Sequence, residues 1–489
     1  MPEPLIFERS IPGRRAYRLP PSDVPGRPAT EWLPPEQMRA SAPPLPEVGE
    51  LDVVQHYTRL SQLNFSVDTH FYPLGSCTMK YNPKVNDRIA ALPGFAWAHP
   101  FQPAAQVQGL LALLDELEQL LCAITGMHAF TLQPAAGAQG ELTGLKMIAA
   151  YERRKRRRRS TILIPDSAHG TNPASAALCG FRVVQLTSGP DGLIDLQELK
   201  RKLTPDVAAC MLTNPNTLGL FEREIRSIAA MLHERDALVY MDGANMNALL
   251  GIARPGDMGV DLLQLNLHKT FSTPHGGGGP GGGPVGVAKT LEDFLPVPRV
   301  RKVGTAFRWE ERGRASVGRV HGFYGNVGVL VRAYAYIRTL GREGLQRVAE
   351  AAILNANYLK SKVDGTFPVP YDRHCLHEFV VTLASLKAHG VTAWDAAKRL
   401  LDYGFYAPTV YFPLIVEEAF MIEPTETASK ETLDAFAQAL LAIAQEAKTH
   451  PELLRQAPQR LAVDRLDEVK AAREPNLRWS VPNQLVATG

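Results

Sequence analysis

The sequence predicts an α/β fold in which a mostly parallel sheet is covered by helices on both faces. The first observation is a regular alternation of short apolar runs and helical patterns between residues 138 and 265. The second is size, because 489 residues with 45% hydrophobic and 21% charged residues suffice for two or three domains. Since parallel strands need a crossover connection, strands that alternate with helices indicate a parallel sheet.

The individual elements follow from spacing. Leucines from Leu110 to Leu121 recur at the helical period and predict an amphipathic helix over 106–124. The next patterns predict, in order, a helix over 138–151, a strand over 161–165, a helix over 174–179, strands over 182–186 and 207–212, a helix over 225–234, and strands over 237–241 and 262–265. Later patterns predict a long helix in two stretches, 328–340 and 345–362, a strand over 378–383, and helices over 392–403 and 430–447.

The sequence divides into three predicted regions. Twelve of the 38 prolines fall within residues 1–50, which excludes a long helix or an inner strand there. Residues 1–60 are therefore expected to form an extended arm, lying on a neighbouring subunit or remaining as a disordered tail. A large domain is predicted over 61–345, and a smaller C-terminal α/β domain with its tail over 346–489.

Charge and cysteine content restrict the partners. The net charge of +3 gives no global attraction to nucleic acid or membrane. The basic run Arg153 to Arg159 raises nucleic-acid binding as an alternative, but it follows a predicted helix, whose C-terminal end favours exposed cations. Five scattered cysteines, no signal-peptide pattern and no apolar run of membrane-spanning length predict a soluble, cytoplasmic protein.

The most informative stretch contains Lys269, which follows the apolar segment 260–267 and precedes the glycine-rich loop 276–283. A lysine in this position can bond covalently to an aldehyde, while glycines let a ligand approach the backbone. Asp242 ends another apolar run, 27 residues upstream. Pyridoxal 5'-phosphate requires such a pair, because a carboxylate keeps its pyridine nitrogen protonated. We therefore predict this cofactor and no metal.

Further residues are expected at the same edge of the sheet. The small-residue turn of Ala136, Gly137, Ala138 and Gln139 opens a helix, whose free N–H groups suit a phosphate. His169 follows the strand over 161–165, so it is predicted to stack on the ring and to exchange protons. The remaining predicted cofactor contacts are His268, Ala244, Asn245, Thr213 and Asn216. Asn216 is equally compatible with an ordinary turn.

The segment 64–83 is rich in polar, aromatic and turn residues, and it is predicted to be a substrate loop. Its candidate residues are His70, Tyr72, Ser76, Cys77, Thr78 and Lys80. Cys77 is either a thiol activated by Lys80 or an inert buried thiol.

Three stretches identify a family resemblance: 71–80, 266–271 and the loop 275–283. On these stretches the chain resembles the glycine decarboxylase P-protein of the glycine cleavage system, and the resemblance covers most of residues 60–430. That family has the fold-type-I pyridoxal phosphate-dependent transferase fold. This family occurs as one long chain or as two half-length subunits. The present chain resembles the second, lysine-bearing subunit of the two-subunit form.

The resemblance implies an aminomethyl-transferring, decarboxylating glycine dehydrogenase. It further implies a homologous first subunit in an α2β2 assembly, glycine as substrate and lipoylated H-protein as acceptor. Enzymes of this fold often hold the substrate carboxylate with an arginine, and here Arg373 and His377 are candidates. Two alternatives remain open: another amino-acid-metabolising enzyme of the same fold, or a non-catalytic subunit.

Overall fold

The computed structural model describes residues 3–41, 43–275 and 281–479. Residues 276–280 of the glycine-rich loop lie outside the described residues, as does that part of the sequence prediction. Two compact units are present, one formed by residues 1–65 with 457–489 and the other by residues 66–456.

The larger unit contains a seven-stranded sheet. Its strands are β1 (Ala129–Thr131), β2 (Thr161–Pro165), β3 (Arg182–Leu186), β4 (Val207–Thr213), β5 (Leu238–Gly243), β6 (Leu262–Leu265) and β7 (Val285–Val287). They lie in the order β1-β7-β6-β5-β4-β2-β3. The pairs within β2 to β6 are parallel, whereas β7 runs antiparallel to both of its neighbours.

The apolar runs explain why the central strands form. Every residue of β2, β4, β5 and β6 is buried. Continuous burial is expected of parallel strands with helices on both faces. The predicted strands are confirmed, with β2, β3 and β6 at their predicted bounds. The short strands β1 and β7 were not predicted, because three-residue runs carry no measurable period.

Helices connect and cover these strands. The helices of this part of the chain are α2 (Lys84–Ala90), α3 (Pro93–Ala96), α4 (Gln108–Thr125), α5 (Gly137–Arg154), α6 (Thr171–Leu178), α7 (Leu196–Lys202), α8 (Ile225–Glu234) and α9 (Leu267–Thr270), while α1 (Glu50–Gln62) belongs to the other unit. The predicted helices over 106–124, 138–151 and 225–234 correspond to α4, α5 and α8.

A long helix, α10 (Val327–Val363), follows the hairpin of β8 (Arg299–Val303) and β9 (Ala306–Glu310). Gly341 interrupts α10 with φ of 60° and ψ of −171°, a conformation open to glycine but strained for other residues. The predicted division of this helix into two stretches is thereby confirmed.

Beyond α10 the chain forms a second, smaller sheet. Its strands β10 (Phe379–Thr382), β11 (Thr409–Val410) and β12 (Ala419–Ile422) lie in the order β10-β12-β11. The helices α11 (Ala393–Asp402), α12 (Lys430–Thr449) and α13 (Pro451–Gln456) accompany it. Phe379, Phe420 and Phe436 are fully buried between sheet and helices. The domain boundary near residue 346 stays a prediction.

The smaller unit contains α1 and α14 (Glu468–Arg473) together with three 3₁₀ turns. Glu3 accepts hydrogen bonds or ionic contacts from His56 at 3.0 Å and Arg9 at 2.6 Å. Phe7 stacks on Trp479 at a centroid distance of 5.0 Å. Within the described residues before Glu50 there is no α-helix and no strand, as the prolines predicted.

The basic segment Arg153 to Arg159 makes contacts within its own unit. Arg157 contacts both Glu152 and Asp236, and Arg159 donates to the carbonyl oxygens of Asp236 and Arg235 at 2.7 Å. These contacts support the prediction of an exposed helix end rather than a nucleic-acid site. Separately, none of the helices in the described part of the chain is long and apolar enough to cross a membrane.

Candidate active site

The predicted cofactor residues follow neighbouring strands and therefore meet at one edge of the sheet. Thr213 and Asp242 are register partners on β4 and β5, and Asp242 is in turn level with Gln264 on β6. Lys269 lies in α9, immediately after β6, and His169 lies after β2. Because these strands are parallel, their carboxyl ends form the crevice in which ligands of open α/β sheets bind.

Asp242 is buried and held by N–H donors. Asn172 Nδ2 donates to Oδ2 at 3.0 Å, and the backbone N–H of Ala244 donates to Oδ1 at 2.9 Å. Gln264 Nε2 also donates to Oδ1. These donors hold both carboxyl oxygens at a defined point of the crevice and satisfy their hydrogen-bonding capacity despite burial.

Lys269 is half-buried, and its side chain has no polar partner among the described residues. Nζ forms neither a hydrogen bond nor an ion pair with any residue of the described ranges 3–41, 43–275 and 281–479. Its charge nevertheless lowers the pKa of His169, His268, His275 and His377 in addition to the lowering caused by their burial. An amine without a fixed partner retains the freedom to react.

The phosphate-binding prediction concerns the start of α5. Ala136, at the N-cap, provides no side-chain cap for the helix. The first intrahelical bond comes from the N–H of Gly140, which leaves the N–H groups of residues 137–139 without a partner among the described residues. Uncapped N–H groups at the positive end of an 18-residue helix can bind a phosphate.

The backbone around this helix start is packed too closely for side chains. A Cβ on Gly137 would lie 2.1 Å from Asn266 Nδ2, and one on Gly283 would lie 2.0 Å from the Ala136 carbonyl oxygen. Gly283 N–H donates to the Pro134 carbonyl oxygen at 2.9 Å, which joins the two segments. Gln139 Oε1 accepts from Ala135 N–H at 2.7 Å, so this side chain supports the turn itself.

Unsatisfied buried polar atoms are concentrated around the same crevice. Within the described residues, buried side-chain atoms without a hydrogen-bond partner include Asn172 Oδ1, Thr213 Oγ1, Asn266 Oδ1, Thr270 Oγ1 and His275 Nε2. Buried polar atoms are normally hydrogen-bonded. Their concentration beside Asp242 and Lys269 fits a site that is completed by a polar ligand.

His169 is connected to a buried carboxyl group through Thr171. Its Nδ1 lies 2.8 Å from Thr171 Oγ1, which donates to Glu141 Oε1 at 2.8 Å. Burial, reinforced by the charge of Asp242, raises the pKa of Glu141 to about 7. Burial and the Lys269 charge lower the pKa of His169, so the neutral imidazole is favoured at neutral pH.

His268 and His275 lie edge to face at a centroid distance of 5.0 Å. His268 Nδ1 accepts from the N–H of Gly282 at 3.4 Å. Burial lowers the pKa of His268 to about 3 and that of His275 to about 4. Both rings are therefore neutral, and they border the lysine without adding charge.

The predicted substrate loop is attached to two buried glutamates. Ser76 donates its backbone N–H to Glu378 Oε2 at 2.6 Å, and Thr78 donates its backbone N–H to Glu423 Oε2 at 2.8 Å. The φ angles of Ser76 and Thr78 are 58° and 48°, in the left-handed region. Such a conformation costs about 1–3 kcal/mol per residue and persists only where the surroundings enforce it.

The two glutamates enclose His377. All three side chains have no solvent exposure, and His377 Nε2 lies 3.8 Å from both Glu378 Oε1 and Glu423 Oε1. Neither ring nitrogen of His377 has a hydrogen-bond partner among the described residues. Burial and the neighbouring carboxyl raise the pKa of Glu378 well above its usual range, and burial raises that of Glu423 to about 7.

Cys77 lies between the two attached residues of the loop. Burial raises the pKa of its thiol to about 11, and this effect exceeds the lowering by the charge of Lys269, while Glu423 and Glu378 raise the pKa further. The thiol form is therefore favoured, in agreement with the inert interpretation. Lys80 does not act on Cys77, because its Nζ donates to Glu426, Asn247 and Tyr336 at 2.8, 2.8 and 3.1 Å.

Curated relatives match this chain over nearly its whole length. The probable glycine dehydrogenase (decarboxylating) subunit 2 of Caldanaerobacter subterraneus subsp. tengcongensis is 58% identical over 477 residues, which are 97% of this chain and 98% of that protein. The protein of the same description from Thermotoga petrophila is 56% identical over 97% of this chain and 99% of its own length. The chain belongs to the glycine dehydrogenase (decarboxylating) subunit 2 family.

Family models match two parts of the chain, and solved structures show the same fold. The aminotransferase class-V model matches residues 139–278, and the glycine dehydrogenase C-terminal domain model matches residues 348–459. The fold is similar to a crystal structure of glycine decarboxylase (P-protein) of the glycine cleavage system, in inhibitor-bound form, with a TM-score of 0.72 and 21% identity over 84% of this chain and 93% of that one. A NifS-like protein gives a TM-score of 0.60 and 15% identity over 78% and 100%.

The predicted family and fold class are thus confirmed for this subunit 2 chain. Pyridoxal 5'-phosphate is the cofactor of this fold, as predicted. The individual site residues stay predictions, and the structure separates them into two groups. Lys269, Asp242, His169, Thr213, Ala244 and residues 136–139 and 268 lie at the crevice, whereas several others have different partners.

Those other residues have mainly structural contacts in this subunit 2 chain. Asn216 Oδ1 accepts from the N–H groups of Leu218 and Leu220 at 3.0 and 3.1 Å, which corresponds to the turn alternative. Asn245 donates to the Pro215 carbonyl oxygen at 3.0 Å and to Glu378 at 3.1 Å. Arg373 donates to Asp191 at 3.4 Å. This ion pair leaves His377 as the buried member of the two carboxylate-binding candidates.

Two further loop residues, His70 and Tyr72, have separate contacts at a surface cavity. Tyr72 stacks on Tyr406 at a centroid distance of 4.0 Å. His70 Nδ1 lies 2.7 Å from Thr69 Oγ1, and His70 and Tyr72 both line a cavity of about 410 Å³. These two residues are thus placed at an accessible surface, as a substrate loop requires.

Sequence reasoning missed Glu378, Glu423 and Glu141. A signal was present for the first two, because Glu378 directly precedes and Glu423 directly follows a buried apolar strand of the smaller sheet. Glu141 gave no such signal, since an acidic residue in the first turns of a helix is ordinary.

Proposed function

We propose that this chain is the pyridoxal phosphate-bearing subunit of a glycine decarboxylase. In this role it decarboxylates glycine, releases CO₂ and transfers the remaining aminomethyl group to the lipoyl arm of H-protein. The observation that carries the proposal is the meeting at one sheet edge of a Lys269 without a polar partner among the described residues, a fixed Asp242 and an uncapped helix start. Membership of the glycine dehydrogenase subunit 2 family supports the substrate assignment.

Different residues of the chain hold different parts of the cofactor. Lys269 provides the amine for covalent attachment, and the N–H groups of residues 137–139 bind the phosphate. Asp242 holds a proton on the ring nitrogen, while Asn172, Gln264 and the N–H of Ala244 keep its carboxylate in position. When bound, pyridoxal 5'-phosphate withdraws electrons from the substrate carbon that loses CO₂.

His169 is proposed to cover the ring and to move protons at the substrate. Its Nδ1 side is occupied by Thr171, so Nε2 is the atom that remains for the substrate. Thr171 and Glu141 orient the ring from behind. The loop of residues 72–80 is proposed to border the path of the lipoyl arm and to exclude water, because protonation of the decarboxylated carbon would give methylamine instead.

The designation subunit 2 indicates a partner subunit 1. We propose an α2β2 assembly with that homologous subunit. In this assembly the proline-rich arm of residues 1–60 lies on a neighbouring chain, which accounts for Tyr17, Leu19 and Trp32 being 74%, 82% and 69% exposed here. The five cysteines, all free, fit the reducing cytoplasm that we propose as the location.

The proposal is tested in two steps. Purified chain is loaded with pyridoxal 5'-phosphate, reduced with borohydride and mapped by peptide mass spectrometry, where the label is expected on Lys269. The chain is then combined with subunit 1 and lipoylated H-protein, and exchange of labelled bicarbonate into the glycine carboxyl group is measured. A label elsewhere refutes the site. Turnover of another amino acid by the chain, without any glycine exchange, refutes the substrate.

A further inference from the structure

Glu378 and Glu423 have no role in the mechanism proposed so far, although they are the most deeply buried acidic groups near Lys269. Both side chains have no solvent exposure. One oxygen of each carboxyl and a ring nitrogen of His377 lie within 4.8 Å of one another. Neither glutamate forms an ion pair with a lysine or arginine of the described residues. Two adjacent, buried and unpaired negative charges are strongly unfavourable.

The hydrogen bonds of the pair come almost entirely from neutral donors. Glu378 accepts from Ser76 and from Asn245 Nδ2, and Glu423 accepts from the backbone N–H and the hydroxyl of Thr78 at 2.8 and 2.7 Å. Such donors can hold one carboxylate and one carboxylic acid. They do not neutralise two negative charges.

The other titratable groups around the pair have fixed charge near neutral pH. Burial lowers the pKa of His377 to about 3 and raises that of Cys77 to about 11, so both are uncharged. Glu426, the next acidic group along the chain, is paired with Lys80 at 2.8 Å. Tyr336 takes part in that same ion-pair network. Lys269 is consequently the group whose charge changes during the reaction.

We infer that Glu378 and Glu423 form a proton-sharing pair that serves Lys269. The inference rests on the proposed function, because it takes Lys269 as the cofactor-binding amine. When the Lys269 ammonium reacts with the cofactor aldehyde, a C=N bond replaces the C=O bond and the oxygen leaves as water. One proton is released, and the pair takes up one proton in compensation for the lost positive charge. When a substrate amine displaces Lys269, the pair gives up one proton and Nζ takes one up, and no atom is oxidised or reduced.

The pair is a positioning element for the lysine, since it acts on Lys269 through charge and lies beyond ion-pair distance of Nζ. Its attachment to Ser76 and Thr78 adds a second consequence. These two residues have positive φ angles of 58° and 48°. The protonation state of the pair therefore also determines how strongly the substrate loop is held in this conformation.

The test is infrared difference spectroscopy at pH 7 of the cofactor-free chain before and after addition of pyridoxal 5'-phosphate. We expect the C=O band of a protonated carboxyl group to increase. Pyridoxamine 5'-phosphate, which fills the site but has no aldehyde, is expected to leave that band unchanged. This comparison separates the pair from Glu141, because the raised pKa of Glu141 is caused by burial and by Asp242 and not by the charge of Lys269.

Variants identify the residues that give rise to the infrared C=O band. The double variant Glu378→Gln with Glu423→Gln is expected to lose it, whereas Glu222→Gln, which alters a buried carboxyl group that is 3% exposed and raised in pKa by burial, is expected to retain it. In Lys269→Ala the band is expected before any cofactor is added and does not change afterwards. The Lys269→Ala measurement leaves the pair intact, so it decides the matter even if the double variant does not fold.

Three outcomes overturn the inference: a band that grows equally with both ligands, a band that persists in the double variant, or no band in the unaltered chain. Stoichiometric divalent metal that is retained by the purified chain and lost in Glu423→Gln also overturns it, because a cation would then occupy the site of the proton. Borohydride mapping of the same samples separates the two proposals. A label on Lys269 with an unchanged band refutes the pair alone, and a label elsewhere refutes the proposed function.

Discussion

Lys80 and Lys269 are two lysines of the same unit with opposite surroundings. Lys80 is 3% exposed, and its ammonium donates to a carboxylate, an amide and a phenol. Burial alone would lower the pKa of Lys80, but Glu426 and Tyr336 reverse this effect and raise it. Lys269 has no such partners among the described residues. A structural lysine such as Lys80 is therefore fixed by its hydrogen-bond acceptors, whereas Lys269 lies near ionisable groups of the described residues without forming an ion pair with any of them.

The strongest test of this comparison replaces Lys269. Lys269→Ala is expected to abolish both the absorbance of the covalently bound cofactor and the decarboxylase activity, because no other lysine of the described residues follows β2, β4, β5 or β6 at this edge. Absorbance spectra and bicarbonate exchange measure the two effects. Lys80→Ala is the matched control and is expected to keep the spectrum. A borohydride-reducible cofactor in Lys269→Ala would contradict the assignment.

The next largest effect concerns the carboxylate that shares the crevice with Lys269. Asp242→Ala is expected to leave the protein folded but to reduce kcat on the order of 10²- to 10³-fold, as when one preorganised electrostatic group is removed. Asn172→Ala, which removes one of its donors, serves as a graded control with a smaller loss. Near-normal turnover of Asp242→Ala, measured at saturating cofactor, would refute its role.

Lys80 is expected to matter for stability instead. Lys80→Met leaves Glu426 without its buried partner, and its free energy of unfolding is expected to fall by about 3–5 kcal/mol. Chemical denaturation of the cofactor-free chain measures this change. Lys430→Met, which breaks an exposed ion pair with Asp434, is the control and is expected to cost less than about 1 kcal/mol. Equal losses in the two variants would show that Lys80 is not specially placed.

The charges around Lys269 also predict a pH dependence. The pKa of Glu423 is about 7 in the folded chain against an ordinary value of 4.5, so the folded state binds this proton more tightly than the unfolded state. Protonation of Glu423 therefore contributes in full to the free energy of unfolding below about pH 4.5, and this contribution is lost as the pH rises to about 7. The loss amounts to at most about 3 kcal/mol.

Glu423→Gln is expected to remove this component from the pH dependence of unfolding. The variant should consequently be more stable than the unaltered chain at pH 8. Glu378 contributes in the same direction, because its pKa is also raised. Denaturation curves of both proteins between pH 4.5 and pH 8 measure the difference. Parallel pH profiles would contradict the raised pKa.

The smallest effect is expected for Arg373, which was a candidate for binding the substrate carboxylate. Arg373 pairs with Asp191 at 3.4 Å, and its side chain is 38% exposed. Arg373→Ala is therefore expected to change kcat/KM for glycine by less than about twofold and stability by less than about 1 kcal/mol. A large rise in KM would instead indicate that Arg373 binds the substrate carboxylate. His377→Ala tests the buried alternative in the same assay.

The amino-acid sequence was sufficient to predict the central strands β2 to β6 in their chain order and one part of the site. Asp242, His169 and Lys269 each follow a buried apolar run, and parallel strands bring their carboxyl ends to one edge whatever the remaining fold is. The turn before α5 could be identified for the same reason, since a helix start exposes N–H groups by its geometry alone. These inferences are local, because each depends on a residue and its own strand or helix.

The contribution of the segment 74–80 and of the smaller sheet depends on contacts between segments that are far apart in the sequence. Ser76 and Glu378 are 302 positions apart in the chain, and Thr78 and Glu423 are 345 positions apart. No periodicity connects residues at such separations, and their pKa values depend on burial that arises only when the two segments meet. The same applies to Lys80 and Lys269, whose different surroundings are determined by packing and not by their neighbours in the sequence.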